Sequence, residues 1–245
     1  MLSRRAWFGV AGTTAAAAAL SACGAPQGTT ATETVTVPAD IAISTETPRP
    51  NISDAEMALA ELKQGNQRFV EGRMMHPDQS PDARRSVSEG QAPFAIVLSC
   101  SDSRLPPEVI FDQGLGDLFV VRVAGNVVDP AGMGSIEYAV GHLGAHLIMV
   151  LGHQNCGAVS ATLESIQQHS EPHGDVGELI TAITPAVAVA EERPGDLLTN
   201  SIKANAEQSR DQIMASQELK SELDSGRLKV VLGYYSLVDG TVAIT

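Results

Sequence analysis

A chain of 245 residues with 43% apolar composition can enclose one substantial core, and its length does not require a second large domain. Its formal charge of −13, from 16 basic and 29 acidic residues, argues against a nucleic-acid surface and for a soluble acidic body. Three cysteines are too few for a disulfide-dense secreted scaffold, so each thiol is open to a separate task.

Residues 1–22 carry Arg4 and Arg5, then an alanine-rich apolar run that closes on Leu20-Ser21-Ala22 before Cys23. This order of charge, apolar stretch and small residues predicts a processed export signal. Thr13 and Thr14 interrupt a stretch already short for a membrane span. Ser3-Arg4-Arg5-Ala6-Trp7-Phe8 resembles a twin-arginine signal, with Trp7 where that pattern prefers Phe, and Leu20-Ser21-Ala22-Cys23 resembles a bacterial lipobox. The resemblance implies cleavage before Cys23, a lipid on its sulfur, and an extracytoplasmic, periplasmic body tethered to a membrane. Maturation would remove two arginines and no acid, deepening the formal charge from −13 to −15. Export in the folded state suits thiolates already held on a metal, which cannot pair in an oxidising compartment. Residues 23–50, rich in Thr, Pro, Ala and Ser, read as a flexible tether, and residues 51–245 as a single domain that begins with a helical arm.

Within that domain Ala55, Leu59, Leu62 and Phe69 recur at helical spacing over 53–72, with Ser53 or Asn51 as the cap and a possible break at Gly65-Asn66. Residues 73–92 are too polar and proline-rich to predict an element. Phe94 to Leu98 is a short continuous apolar run, as expected of a central parallel strand covered on both faces. Strands are also predicted at 119–123 and 145–151, with a helix over 134–143 between them and a turn at Asp129-Pro130. Helical material follows Cys156, a looser region spans 168–200, and a further helical run covers 201–224. The segments 228–233 and 241–244 close the pattern as strands around an Asp239-Gly240 turn. Alternating strands and helices predict an α/β fold with a central, mainly parallel sheet flanked by helices.

Chemistry concentrates where two predicted strands end, the place where loops of an open α/β sheet converge on ligands. Cys100-Ser101-Asp102-Ser103-Arg104 follows the first, and His153-Gln154-Asn155-Cys156 follows the strand at 145–151. Two thiolates and an imidazole suit tetrahedral zinc and leave one corner for Asp102 or water. Catalytic zinc, structural zinc and a redox thiol pair all remain compatible with one His-x-x-Cys pair. In a locally extended segment Cys100, Asp102 and Arg104 would line one wall, with Arg104 gripping the Asp102 carboxylate. Gly152 and Gly157 would let the backbone approach the ion.

These blocks strongly resemble the beta-class carbonic anhydrases. The resemblance also takes in Gly65-Asn66-Gln67-Arg68-Phe69, Gln91-Ala92-Pro93, Phe111-Asp112, Gly116 to Phe119, Arg122 to Asn126 and Gly134 to Ala139, running from about residue 54 to the C terminus. It implies zinc on Cys100, His153 and Cys156, with Asp102 taking the fourth position at rest or leaving it to water when paired with Arg104. It implies reversible hydration of carbon dioxide to bicarbonate by zinc-bound hydroxide, oriented by Asp102 and Arg104, with Gln91 and Gly125 on the substrate side. A homodimer or higher homo-oligomer follows, with residues 53–72 and Phe69 embracing the neighbour. The alternatives are a related zinc hydrolase acting on carbonyl sulfide or carbon disulfide, and a non-catalytic exported zinc-binding protein. Two thiolates neutralise the ion's charge, so activity is expected to rise toward alkaline pH.

Overall fold

The computed structural model describes residues 51–170 and 174–245. The export, tether and lipidation readings, Cys23 included, fall on 1–50 and lie outside the described residues. The chain runs α1 (Ala55–Val70), α2 (Pro81–Ser86), β1 (Ala95–Ser99), α3 (Pro107–Ile110), β2 (Leu118–Arg122), α4 (Pro130–Leu143) and β3 (Leu147–His153). It continues through α5 (Gly157–Gln168), α6 (Val176–Glu191), α7 (Leu197–Met214), α8 (Lys220–Asp224), β4 (Lys229–Tyr235) and β5 (Val242–Ile244).

The sheet has the order β2-β1-β3-β4-β5, parallel through its first four strands and closed by antiparallel β5. The expected α/β architecture is therefore present. Every residue of β1 and β3 is buried, which explains why both read as unbroken apolar runs. Val97, Met149 and Leu151 face one way, onto Leu62, Phe111 and Ile183; Ile96, Leu98, Ile148 and Val150 face the other, onto Ile136, Val140 and Ile213. Each fully buried Leu or Ile contributes about 1.5–3 kcal/mol by leaving water, so these two central strands anchor both layers. Among the described residues no helix is long and apolar enough to cross a membrane.

Several local expectations need correction. Helix α1 is capped by Asp54, whose Oδ1 accepts from Met57 N at 2.8 Å, and not by Ser53 or Asn51. It runs unbroken through Gly65-Asn66, because that pair is where α1 docks on its own chain. A Cβ at Gly65 would stand 1.7 Å from Phe111 O. Asn66 Nδ2 donates to Ile110 O at 3.2 Å and to Gly240 O at 2.9 Å, while its Oδ1 accepts from Val242 N at 2.9 Å. Phe69 packs beside Gly240, where a Cβ would lie 2.9 Å from the ring. These contacts seat one face of α1 on its own domain. Helix α4 starts at Pro130, earlier than predicted, because Asp129 caps it through Gly132 N at 2.6 Å and proline suits the first helical position. A short helix, α2, occupies part of 73–92, capped by Ser80 with Pro81 in its first turn. The supposedly loose region holds α6, 16 residues long, with Pro185 in its interior.

A buried ion cluster secures α1. Arg68 Nε donates to Asp112 Oδ2 at 2.6 Å and its Nη2 to Glu61 Oε1 at 2.9 Å. Asp112 also accepts from Met75 N at 2.9 Å and His76 N at 3.0 Å. Burial alone would raise the Asp112 pKa, yet these donors outweigh it and hold the carboxyl below its ordinary value.

Candidate metal centre

Ligand atoms of Cys100, His153 and Cys156 all lie within 4.8 Å of one another, and all three residues are buried. Cys100 immediately follows β1, His153 is the last residue of β3, and Cys156 occupies the N-cap of α5. Adjacent parallel strands therefore deliver the first two, and a turn with Asn155 at φ 54° brings back the third. Gln154 holds that turn against the end of β4: its N donates to Tyr235 O at 2.9 Å and its Oε1 accepts from Leu237 N at 3.1 Å. At Gly152 a Cβ would meet Ile202 Cγ2 at 3.3 Å, so the missing side chain lets β3 lie close against α7.

Zinc fits this donor set on a direct structural observation. His153 Nδ1 lies 3.0 Å from Gln154 O, a carbonyl that can only accept, so Nδ1 carries the proton and Nε2 presents a lone pair. Nε2 is itself buried with no hydrogen-bond partner. A histidine with one nitrogen on a carbonyl and the other aimed at two sulfurs is the arrangement of a metal ligand with its outer partner in place.

The sulfurs are tuned unequally. The Cys100 thiol is pushed well below its usual range, chiefly by its neighbour Cys156, with the Gly125 N–H adding to the effect against burial. Cys156 is pushed up by the neighbouring Cys100 and by burial, against the amides of Val159 and Ala158 at the start of α5. Two thiols set against each other and an imidazole suit a divalent cation, which binds sulfurs in their deprotonated form.

Asp102 stands outside the three-residue group. Arg104 grips it in a fork, Nε to Oδ1 at 2.9 Å and Nη2 to Oδ2 at 2.7 Å. This hydrogen bonding, ahead of any other cause, keeps the Asp102 carboxyl far below the usual carboxylate range. The segment is a turn, however, and not the extended wall expected. Arg104 N donates to Asp102 Oδ1 at 2.9 Å, and Leu105 N to Asp102 O at 3.0 Å. An aspartate that caps its own turn thus brings Arg104 around to its carboxylate.

Gly125 sits in a 3-10 turn, Ala124–Asn126, and its N–H donates to Cys100 Sγ at 3.2 Å. Gln91 is exposed in the loop before β1. Arg122 went unassigned in the sequence beyond its place in a family block, yet its Nε donates to Cys100 O at 3.0 Å and its Nη2 to Asp102 O at 2.6 Å. Only its position at the end of a predicted strand could have hinted at this. The described histidines other than His153 lie elsewhere: His142 stacks on Tyr138, His146 precedes β3, His169 ends α5, and His76 follows α1. Glu137 accepts from Ser216 Oγ at 2.7 Å, a packing role.

With this geometry in hand, similarity to known proteins becomes informative. The family pattern described as carbonic anhydrase matches residues 95–242. Carbonic anhydrase 2 of Mycobacterium tuberculosis is 42% identical over 184 residues, 75% of this chain and 89% of that protein. The carbonic anhydrase of Mycolicibacterium smegmatis is 40% identical over 199 residues, 80% and 95% of the two chains. Among solved structures, the beta-carbonic anhydrase CcaA superposes with a TM-score of 0.58 at 26% identity, covering 76% of this chain and 94% of that one. Coccomyxa beta-carbonic anhydrase in complex with acetazolamide gives 0.59 at 26% identity, covering 76% and 85%. A matching family pattern, relatives aligned over most of their length and a shared fold, joined to a buried Cys-His-Cys centre, place this chain in the carbonic anhydrase family, in its beta class.

Proposed function

We propose that this chain catalyses the reversible hydration of carbon dioxide to bicarbonate and a proton, with one zinc ion per subunit. The observation that carries the reading is the unpartnered, buried Nε2 of His153 beside the Cys100 and Cys156 sulfurs. Zinc bound there supplies the Lewis acidity that makes a water nucleophilic near neutral pH. The protein does the rest. Cys100, Cys156 and His153 would hold a zinc ion with one position left for water, while the Arg104 fork engages both Asp102 carboxylate oxygens. Asp102, held ionised, accepts the attacking water's hydrogen bond and turns its lone pair toward the carbon of carbon dioxide. Because Arg104 holds Asp102 ionised, the released proton goes to solvent or buffer. Gln91 and Gly125 act on the substrate side, with Gly125 also bordering the Cys100 thiolate.

Stopped-flow hydration of carbon dioxide by the zinc-loaded protein tests this, with Cys156→Ser as the comparison. Zinc-dependent turnover that the variant loses, while staying folded, supports the reading; equal rates in both sink it. Turnover of carbonyl sulfide or carbon disulfide in preference to carbon dioxide would favour the related hydrolases, and stoichiometric zinc without turnover a binding protein.

Export as a twin-arginine lipoprotein, with lipid on Cys23 and an extracytoplasmic, periplasmic, membrane-tethered body, is supported by the residue order over 3–23. Incorporation of labelled fatty acid that persists in Cys23→Ala would refute the anchor. Self-association as a homodimer or higher oligomer is supported by the outer face of α4. Tyr138 there is 48% exposed, and side chains built at Gly134 and Gly141 would meet nothing. Sedimentation at micromolar concentration distinguishes an oligomer from a monomer.

A further inference from the structure

The donor to Cys100 Sγ comes from a backbone that needs outside support. Gly125 at φ 73° and Asn126 at φ 45° are consecutive left-handed residues, a conformation that side-chain-bearing residues adopt at a cost. Two side chains of α7, one helical turn apart, hold the turn from one flank. Asn205 Nδ2 donates to Gly125 O at 2.6 Å, and Ser209 Oγ donates to Asn126 O at 2.9 Å. These two residues are 0% and 1% exposed. Ser201, on the same helix, instead returns its hydroxyl to Leu197 O within α7. On the other flank a Cβ at Gly125 would lie 2.8 Å from Ile183 Cδ1 and 3.2 Å from Ala158 Cβ, so glycine is required where α5 and α6 close over the turn.

We infer that Asn205 and Ser209 are positioning residues of the metal centre: by gripping the carbonyls of Gly125 and Asn126 they keep the Gly125 N–H on the Cys100 sulfur. They thereby set how much charge that thiolate gives to the ion. The inference rests on Cys100 being a zinc ligand. A sulfur that accepts an amide hydrogen bond donates less to a metal, and partners of ligands tune affinity in this way.

The test uses the full chain loaded with cobalt(II) for its sulfur-to-metal charge-transfer band, and zinc competition against a chelator for affinity. In Asn205→Leu the band moves to lower energy as the sulfur loses its amide donor, and, because the unsupported turn no longer holds the Cys100 sulfur in place, an effect that outweighs the gain in sulfur donation, the zinc dissociation constant rises about tenfold. Ser209→Ala moves both in the same direction. Ile213→Val, at the buried far end of α7, leaves both unchanged while lowering thermal stability. An unaltered band and affinity in folded Asn205→Leu overturns the inference, as does an equal response in Ile213→Val. Should Asn205→Leu fail to fold, Ser209→Ala decides by the same two readouts. A parent protein that takes up neither metal overturns the zinc reading and this inference together. A parent with a tetrahedral cobalt spectrum and variants that do not respond overturn this inference alone.

Discussion

Arg122 meets Asp102 at its main-chain oxygen, Nη2 to O at 2.6 Å, and leaves the carboxylate entirely to Arg104. The two arginines divide one short segment between them: Arg122 fixes where its backbone lies, and Arg104 fixes the charge it presents. Replacing Arg122 by Met should lower kcat/KM by roughly 10–100-fold, the range typical of residues that orient metal ligands. Stopped-flow rates alongside metal content measured on the same samples check this.

Asp102→Asn removes the oriented, ionised acceptor and should cost about 10²–10⁴ in kcat while zinc stays bound. Arg104→Leu frees the carboxylate to approach the ion and should also depress kcat. An unchanged rate in either variant would show that the pair is only structural.

Because Arg104 depresses the Asp102 pKa, Asp102 stays ionised throughout the neutral range and cannot produce an acid limb there. The activity profile then belongs to the metal centre, with two sulfurs damping the ion's charge, and should rise from about pH 6.5 to about pH 8.5. Equal or greater activity at the lower pH, in intact enzyme, would contradict this.

Asp112 gives a separate pH signature in stability. Its folded pKa lies below the unfolded value, so its contribution is fully present above about pH 4 and is lost as pH falls through the folded value. Asp112→Asn should therefore cost about 1.5–3 kcal/mol at neutral pH, the worth of a hydrogen bond to a charged group. The gap between parent and variant should narrow in acid. Urea unfolding at both extremes reads it directly.

Gly65→Ala places a methyl group against the Phe111 carbonyl, a backbone atom that cannot swing aside. The loss should reach at least about 3 kcal/mol, the upper end of ordinary overpacking, because α1 must lift from its seat. Thermal unfolding measures it, and a drop of only a few tenths would mean that α1 docks elsewhere.

The central layer was readable because β1 and β3 are buried on both faces and so carry continuous apolar residues, with Cys100 and His153 at their ends. Helix α6 escaped because Pro185 stands in the middle of its sequence, Asp175 makes no capping hydrogen bond, and its apolar residues are not confined to one stripe. The Asp102–Arg104 pair was foreseen for the wrong reason: residue alternation suggested it, whereas a self-capped turn produces it. Gly65-Asn66 looked like a break because glycine disfavours helices, an effect overridden by what the missing side chain lets the helix lie against. Arg122, Asn205 and Ser209 were illegible as supports of the site. Each acts on a distant main-chain oxygen, for Asn205 one 80 residues away, and no local pattern encodes that.

The pairing of β1 with β3, Ser99 opposite Leu151, carries one further consequence. Side chains alternate along a strand, so a slip of one residue would turn His153 to the opposite layer of the sheet, away from the Cys100 sulfur. An ion held by Cys100, His153 and Cys156 would thus report that these two strands are correctly paired. A chain that retains its ion has aligned these two strands correctly, whereas a misaligned chain lacks the histidine needed to keep it.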